Sequence, residues 1–120
     1  MGASVRILIV DDEQHVRQSL AAWFREDGYD VGTAANGREA LAELARAGAD
    51  ILLADIKMPG MDGLELLRRA KEAAPDATVI VMTAYASVET AVQALKDGAY
   101  DYIVKPFDPD AVSRLVRKAA

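Results

Sequence analysis

The sequence predicts an α/β domain, a parallel sheet covered by helices on both faces. Two observations carry this. Five strand-length segments alternate with five stretches whose apolar residues recur at helical spacing. The best of the segments, Ile51-Leu52-Leu53-Ala54, is continuously apolar instead of alternating, which marks a strand buried on both faces. Strand-helix alternation through short connections implies right-handed crossovers and hence parallel pairing.

The elements follow in order. Val5 to Val10 is apolar apart from Arg6 and rich in β-branched residues, and it runs into Asp11-Asp12-Glu13. Val16, Leu20 and Phe24, with Trp23 beside them, place a helix from Gln14 to about Glu26, closed by Gly28. Asp30 to Ala34 is a second, weaker strand. Asn36 reads as an N-cap with Glu39 at the third helical position, Leu41 and Leu44 lining the buried face and Gly48 closing the helix. The third strand, Ile51 to Asp55, empties into a turn at Pro59-Gly60. Asp62 caps the next helix with Glu65 at its third position; Leu64, Leu67 and Ala70 are expected to face inward, and Pro75 follows the end. Thr78 to Met82 is a fourth strand ending at Thr83. Ser87 caps a helix with a Val88, Ala91, Val92, Leu95 stripe, ended by Gly98. Asp101 to Val104 is a fifth strand, ending at Lys105-Pro106. Asp108 and Pro109 open the last helix, whose stripe is Val112, Leu115, Val116 and Ala119.

Length and composition bound the function. With 120 residues the chain reads as one domain over residues 1–120, able to bury a core without staples. A stand-alone unit and the N-terminal part of a longer protein would read alike. The absence of cysteine excludes disulfides and thiolate metal sites. A formal net charge of -5 argues against direct binding of nucleic acid. The start shows no signal-peptide pattern and no apolar run is of membrane-spanning length, so a cytoplasmic protein without a membrane partner is expected. No Gly-x-Gly-x-x-Gly or Walker pattern occurs, so nucleotide binding has no support.

One constellation stands out. In an open parallel sheet, ligand sites lie beyond the carboxyl ends of the strands. Those ends carry Asp11 and Asp12, Asp55, Thr83 and Lys105. Neighbouring strands are about 4.8 Å apart, so the three carboxylates fall in one patch. A like-charge pair at 4 Å costs roughly 4 kcal/mol at an effective dielectric of 20. A cation relieves that cost, and oxygen-only ligands with open positions suit Mg²⁺, with Mn²⁺ as a substitute. Carboxylate, divalent metal, lysine and hydroxyl together describe a phosphoryl-transfer site. Asp55, on the central strand, is then the nucleophile, Asp11 and Asp12 hold the metal, and Lys105 and Thr83 contact the phosphoryl group.

The set Asp11-Asp12, Asp55 followed by Met58-Pro59-Gly60-Met61-Asp62-Gly63, Thr83-Ala84, and Lys105-Pro106-Phe107 resembles the receiver domain of bacterial two-component response regulators. The wording around Tyr85, Tyr100 and Asp108 resembles receivers of the nitrogen-regulator and dicarboxylate-transport type, which precede ATPase and DNA-binding domains. The resemblance implies a flavodoxin-like (βα)5 three-layer sandwich with strand order 2-1-3-4-5. It implies a phosphoacceptor switch for transcription in which Asp55 accepts a phosphoryl group from a histidine kinase. It implies Mg²⁺ held by Asp12, Asp55 and the main-chain carbonyl of Lys57, with Asp11 acting through water. It further implies a cis peptide between Lys105 and Pro106 and a switch formed by Thr83 and Tyr102. The output surface would be the fourth helix, fifth strand and fifth helix, used for homodimerisation. Turnover of an outside substrate is not expected.

Three rival readings are weaker. A phosphatase of the haloacid dehalogenase type usually carries a second aspartate two residues after the nucleophile, where Lys57 stands. A flavin module needs a hydroxyl- and glycine-rich loop where Asp11-Asp12-Glu13 would repel the phosphate. A receiver-like protein that only binds partners would not need the full site. Plainer roles suffice for other residues: His15 as an exposed first-turn residue, Trp23 and Phe24 as packing, Met58 and Met61 as loop packing, Gly60 and Gly63 as turn glycines.

Overall fold

The computed structural model describes residues 5–58, 60–84, 88–105 and 108–119. Among the described residues ten elements alternate: β1 Arg6–Val10, α1 Gln14–Glu26, β2 Asp30–Ala34, α2 Gly37–Ala47, β3 Ile51–Asp55, α3 Gly63–Ala73, β4 Thr78–Thr83, α4 Val88–Lys96, β5 Asp101–Val104 and α5 Pro109–Ala119. The strands form one sheet in the order β2-β1-β3-β4-β5, every pair parallel. The expected fold class and strand order are therefore observed.

Period-two alternation splits the sheet between two cores. Leu8, Val10, Leu52, Ala54, Val79 and Val81 face α2, α3 and α4 through Ala40, Leu44, Leu66, Leu67, Ala70 and Ala94. Ile7, Ile9, Ile51, Leu53, Ile80 and Met82 face α1 and α5 through Leu20, Ala21, Phe24, Val112 and Val116. Both sides of β3 are covered, which is why all five of its residues are buried. Local signals hold where they can be seen. Asn36 Oδ1 accepts from the Glu39 N–H at 2.9 Å, and Asp62 Oδ1 accepts from the Glu65 N–H at 2.9 Å. Gly28, Gly48 and Gly98 follow their helices with positive φ.

Two helix faces differ from the sequence reading. On α3 the buried leucines are Leu66 and Leu67, while Leu64 is only partly buried. The cluster Leu64-Glu65-Leu66-Leu67 allows two helical phases, and the sheet selects the one that buries Leu66 beside Leu67 and Ala70. On α4 the buried residue is Ala94; Val92 and Leu95 are 43% and 46% exposed, and the Val88 side chain lies outside the described residues, as does Ser87. A small residue lets α4 approach the sheet, and the bulkier stripe is left facing out.

Candidate functional site

The strand ends bring the site together because the hydrogen-bond ladders run on past the strands. The Asp11 N–H donates to the Ala34 carbonyl at 3.2 Å, the Ile56 N–H to Met82 at 2.9 Å and the Lys105 N–H to Thr83 at 2.7 Å. Each functional residue thus leaves the sheet from a fixed backbone position.

Lys105 is the centre of the cluster. Its Nζ donates to Asp11 Oδ2 at 2.7 Å and to Asp55 Oδ2 at 3.1 Å. The remaining oxygens are held by local backbone: Asp55 Oδ1 accepts from the Lys57 N–H at 3.1 Å, and Asp11 Oδ1 from the Glu13 N–H at 3.0 Å. Asp11 is fully buried, Asp55 and Thr83 nearly so, and Asp12 is exposed at the rim. Burial raises the Asp55 carboxyl above its ordinary range, and the Asp11 charge adds to this. Lys105 and the Lys57 N–H pull the other way without prevailing. For Lys105, burial alone would lower the ammonium, but the bonds to Asp11 and Asp55 outweigh it and hold it above its ordinary value.

One carboxylate oxygen each from Asp11, Asp12 and Asp55 lies within 4.8 Å of the others. Ligands of an octahedral Mg²⁺ stand at most about 4.2 Å apart, twice the ~2.1 Å bond. An all-oxygen trio that needs only a small closure, and whose repulsion is only partly offset by one lysine, fits such an ion.

The chain's residues 7–117 match the model of the response regulator receiver domain. The chain is a response regulator receiver domain. Receiver domains are the phosphoacceptors of two-component signalling, and they bind Mg²⁺ in an acidic pocket of the kind that Asp11, Asp12 and Asp55 form here. As a class they interact with histidine kinases and can dimerise on activation. The chain is 48% identical over 119 residues, 99% of its length, to regulatory protein AtoC of Escherichia coli K12. It is 44% identical over 113 residues, 94% of its length, to the DNA-binding transcriptional regulator NtrC of Salmonella typhimurium. It spans about a quarter of each relative, 26% and 24%. The solution structure of the beryllofluoride-activated NtrC4 receiver domain dimer superposes with a TM-score of 0.89 at 38% identity, covering 95% of this chain and 94% of that one. The nitrogen-regulator wording of the sequence is thus matched.

Asp11, Asp12, Asp55, Thr83 and Lys105 all gather at one sheet edge in this receiver domain. Tyr102 is partly buried in β5 and packs against the core that contains Val81, its register partner. The Lys105–Pro106 peptide, together with Pro59 and Phe107, lies outside the described residues. His15 is exposed, and Met58 and Met61 pack against the core, as expected. No helix among the described residues is long and apolar enough to cross a membrane.

Two residues were missed. Arg17 donates from Nη1 to the Asp11 carbonyl at 2.7 Å, fixing the end of β1. The available signal was a cation in the first turns of α1, where the helix dipole disfavours one unless acids stand beside it. Gly63 is not a turn glycine: it is buried, begins α3 and lacks a positive φ. A Cβ there would lie 2.4 Å from the Asp55 carbonyl oxygen.

Proposed function

We propose that Asp55 is the phosphoacceptor and that a histidine kinase is the donor. An Asp55 carboxylate oxygen attacks phosphorus, the new O–P bond forms as the P–N bond to the donor imidazole breaks, and the electron pair leaves with the imidazole nitrogen. Lys105 and the Thr83 hydroxyl neutralise and bind the oxygens of the transferred group. Asp12, Asp55 and the Lys57 carbonyl would hold Mg²⁺, or Mn²⁺, with Asp11 acting through water; the ion supplies charge neutralisation at the phosphoryl oxygens.

The observation that carries this reading is Lys105 Nζ bridging Asp11 and Asp55 with a third carboxylate oxygen within 4.8 Å. Water clears the acyl phosphate in time, and no outside substrate is turned over. Thr83 and Tyr102 act as the switch, and the α4-β5-α5 surface answers it, in homodimerisation among other ways. The exposed Val92, Leu95, Tyr100 and Val104 support that surface. The 120 residues act as one receiver unit, in the cytoplasm, within a longer transcriptional regulator; the relatives' greater length supports this.

The test is intact mass after incubation with acetyl phosphate and Mg²⁺, wild type beside Asp55→Asn. A gain of one phosphoryl group, about 80 Da, that needs Mg²⁺ and is absent in the variant is expected. No gain in the wild type under conditions where Mg²⁺ binds would remove the acceptor role and leave the fold.

A further inference from the structure

We propose that Gly63 is a positioning residue for Asp55: its bare face is the seat for the Asp55–Ile56 peptide. The inference rests on the acceptor reading above and adds what holds the acceptor in place. Four glycines of the described chain have a positive φ, and Gly63 is not among them, so backbone torsion does not demand glycine here. Close approach does. A Cβ at 63 would stand 2.4 Å from the Asp55 carbonyl oxygen, 2.5 Å from Ile56 Cα and 2.9 Å from the Asp55 carbonyl carbon. All three atoms are backbone and cannot swing away.

The Gly63 N–H donates to the Ile56 carbonyl at 2.8 Å, so the same residue closes the loop that leaves Asp55. Neither side is free to yield. Ile56 is tied to β4 through Met82, and α3 is anchored by the fully buried Leu66, Leu67 and Ala70. Reaching a 3.0 Å floor from 2.4 Å needs about 0.6 Å of separation, which must come out of the segment Asp55–Lys57. That segment carries the Lys57 N–H bond to Asp55 Oδ1, already long at 3.1 Å. Gly37 makes the contrast: the three atoms nearest a Cβ there all belong to the Met61 side chain, and the closest, Sδ at 2.7 Å, can swing away.

A misplacement near 1 Å costs on the order of a hundredfold in rate, so Gly63→Ala should gain phosphoryl groups at least about tenfold more slowly per folded molecule. The experiment compares wild type, Gly63→Ala and Ala70→Gly, which loosens the same helix without touching the seat. It reads the rate of mass gain from acetyl phosphate, urea stability, and the Lys57 amide resonance in metal-free protein. The expected result is a slow Gly63→Ala with a displaced Lys57 resonance, beside an Ala70→Gly within about twofold of wild type. If Gly63→Ala is partly unfolded, trimethylamine oxide restores the compact state for the measurement. A Gly63→Ala that reacts as fast as Ala70→Gly, or whose Lys57 resonance does not move, overturns the proposal. Should the wild type itself fail to react, the acceptor reading falls, while the Lys57 resonance still decides the seat.

Discussion

Replacing Lys105 with Met tests the electrostatics of the site directly. Methionine keeps an unbranched apolar stem of similar reach and removes the charge together with its N–H donors. In the metal-free protein it leaves Asp11, fully buried, and Asp55, 5% exposed, without the ammonium that bonds both. Two unit charges 4.8 Å apart, the outer limit of the cluster, repel by about 3.5 kcal/mol at an effective dielectric of 20. Losing one partner of a buried ion pair independently costs about 3–5 kcal/mol.

Urea unfolding at pH 7 in chelator should therefore show Lys105→Met less stable by about 3–4 kcal/mol, with an unchanged denaturant slope. The gap should narrow as pH falls, because the Asp55 carboxyl, already raised by burial, takes up a proton that replaces the missing cation. Saturating Mg²⁺ should narrow it too, since in the variant the ion relieves repulsion that the Lys105 ammonium already relieves in the wild type, and so stabilises the variant's folded state more. A loss below about 1 kcal/mol, or one that is the same at pH 5 and pH 7, would show that the two carboxylates do not share a charge in the folded protein.

Further outcomes follow from other parts of the molecule. The Asp55 carboxyl is raised by burial, so its share of stability is full below the ordinary carboxylate range, near 3.9, and is lost as pH rises through the folded value. Metal-free wild type should weaken with rising pH there, and Asp55→Asn should flatten the trend; parallel profiles would count against it. Glu43 is lowered first by its hydrogen bond to Arg46, so its contribution is present above the ordinary range and lost as pH falls; Arg46→Ala should shrink that acid-side loss in urea melts. Ser113→Ala removes the partner of Trp23 Nε1, bonded at 2.6 Å, and should cost about 1 kcal/mol with a red shift in tryptophan emission. Leu95→Glu, at a site 46% exposed, should change stability by less than about 0.5 kcal/mol yet block self-association of the beryllofluoride-loaded protein in sedimentation; a dimer of unchanged strength would move the output surface elsewhere.

The fold was legible because burial on both sides writes itself as an unbroken apolar run. Ile51 to Ala54 admits little else, and strand ends follow from where the run stops. The site was legible for the same reason: parallel strands deliver their C-terminal residues to one edge, so Asp11, Asp55, Thr83 and Lys105 could be placed without contacts. The helices were less clear. A stripe such as Ala91, Val92, Leu95 shows which residues share a face, not whether anything covers that face. At α3 the expected face took Leu64 with Leu67 and Ala70, whereas the fold buries Leu66 in its place. Gly63 was misread because a glycine needed for close approach and one needed for a left-handed turn look the same in a sequence. What separates them is which atoms lie opposite the missing Cβ, and those belong to the end of β3, which the intervening loop folds back against the start of α3.

The site and α4 differ sharply in how firmly they are held. The Lys105 N–H donates to the Thr83 carbonyl, and the Ile56 N–H, next to Asp55, donates to Met82, so the backbone on which these side chains stand is tied to β4. Among the described residues, α4 buries only Ala94, and its C-terminal end is tied by Asp97, which accepts from Arg68 at 3.1 Å and from Gln93 at 3.1 Å. Half-exposed ties of that kind are worth about 0–1 kcal/mol each. Under the proposed chemistry, a phosphoryl group placed among three carboxylates changes the electrostatic energy of the cluster by several times that amount. The region able to give way is then the lightly packed helix beside the site, not the ladder that carries it. That ordering of stabilities lets a local change of charge be read as a change of surface without loosening the acceptor.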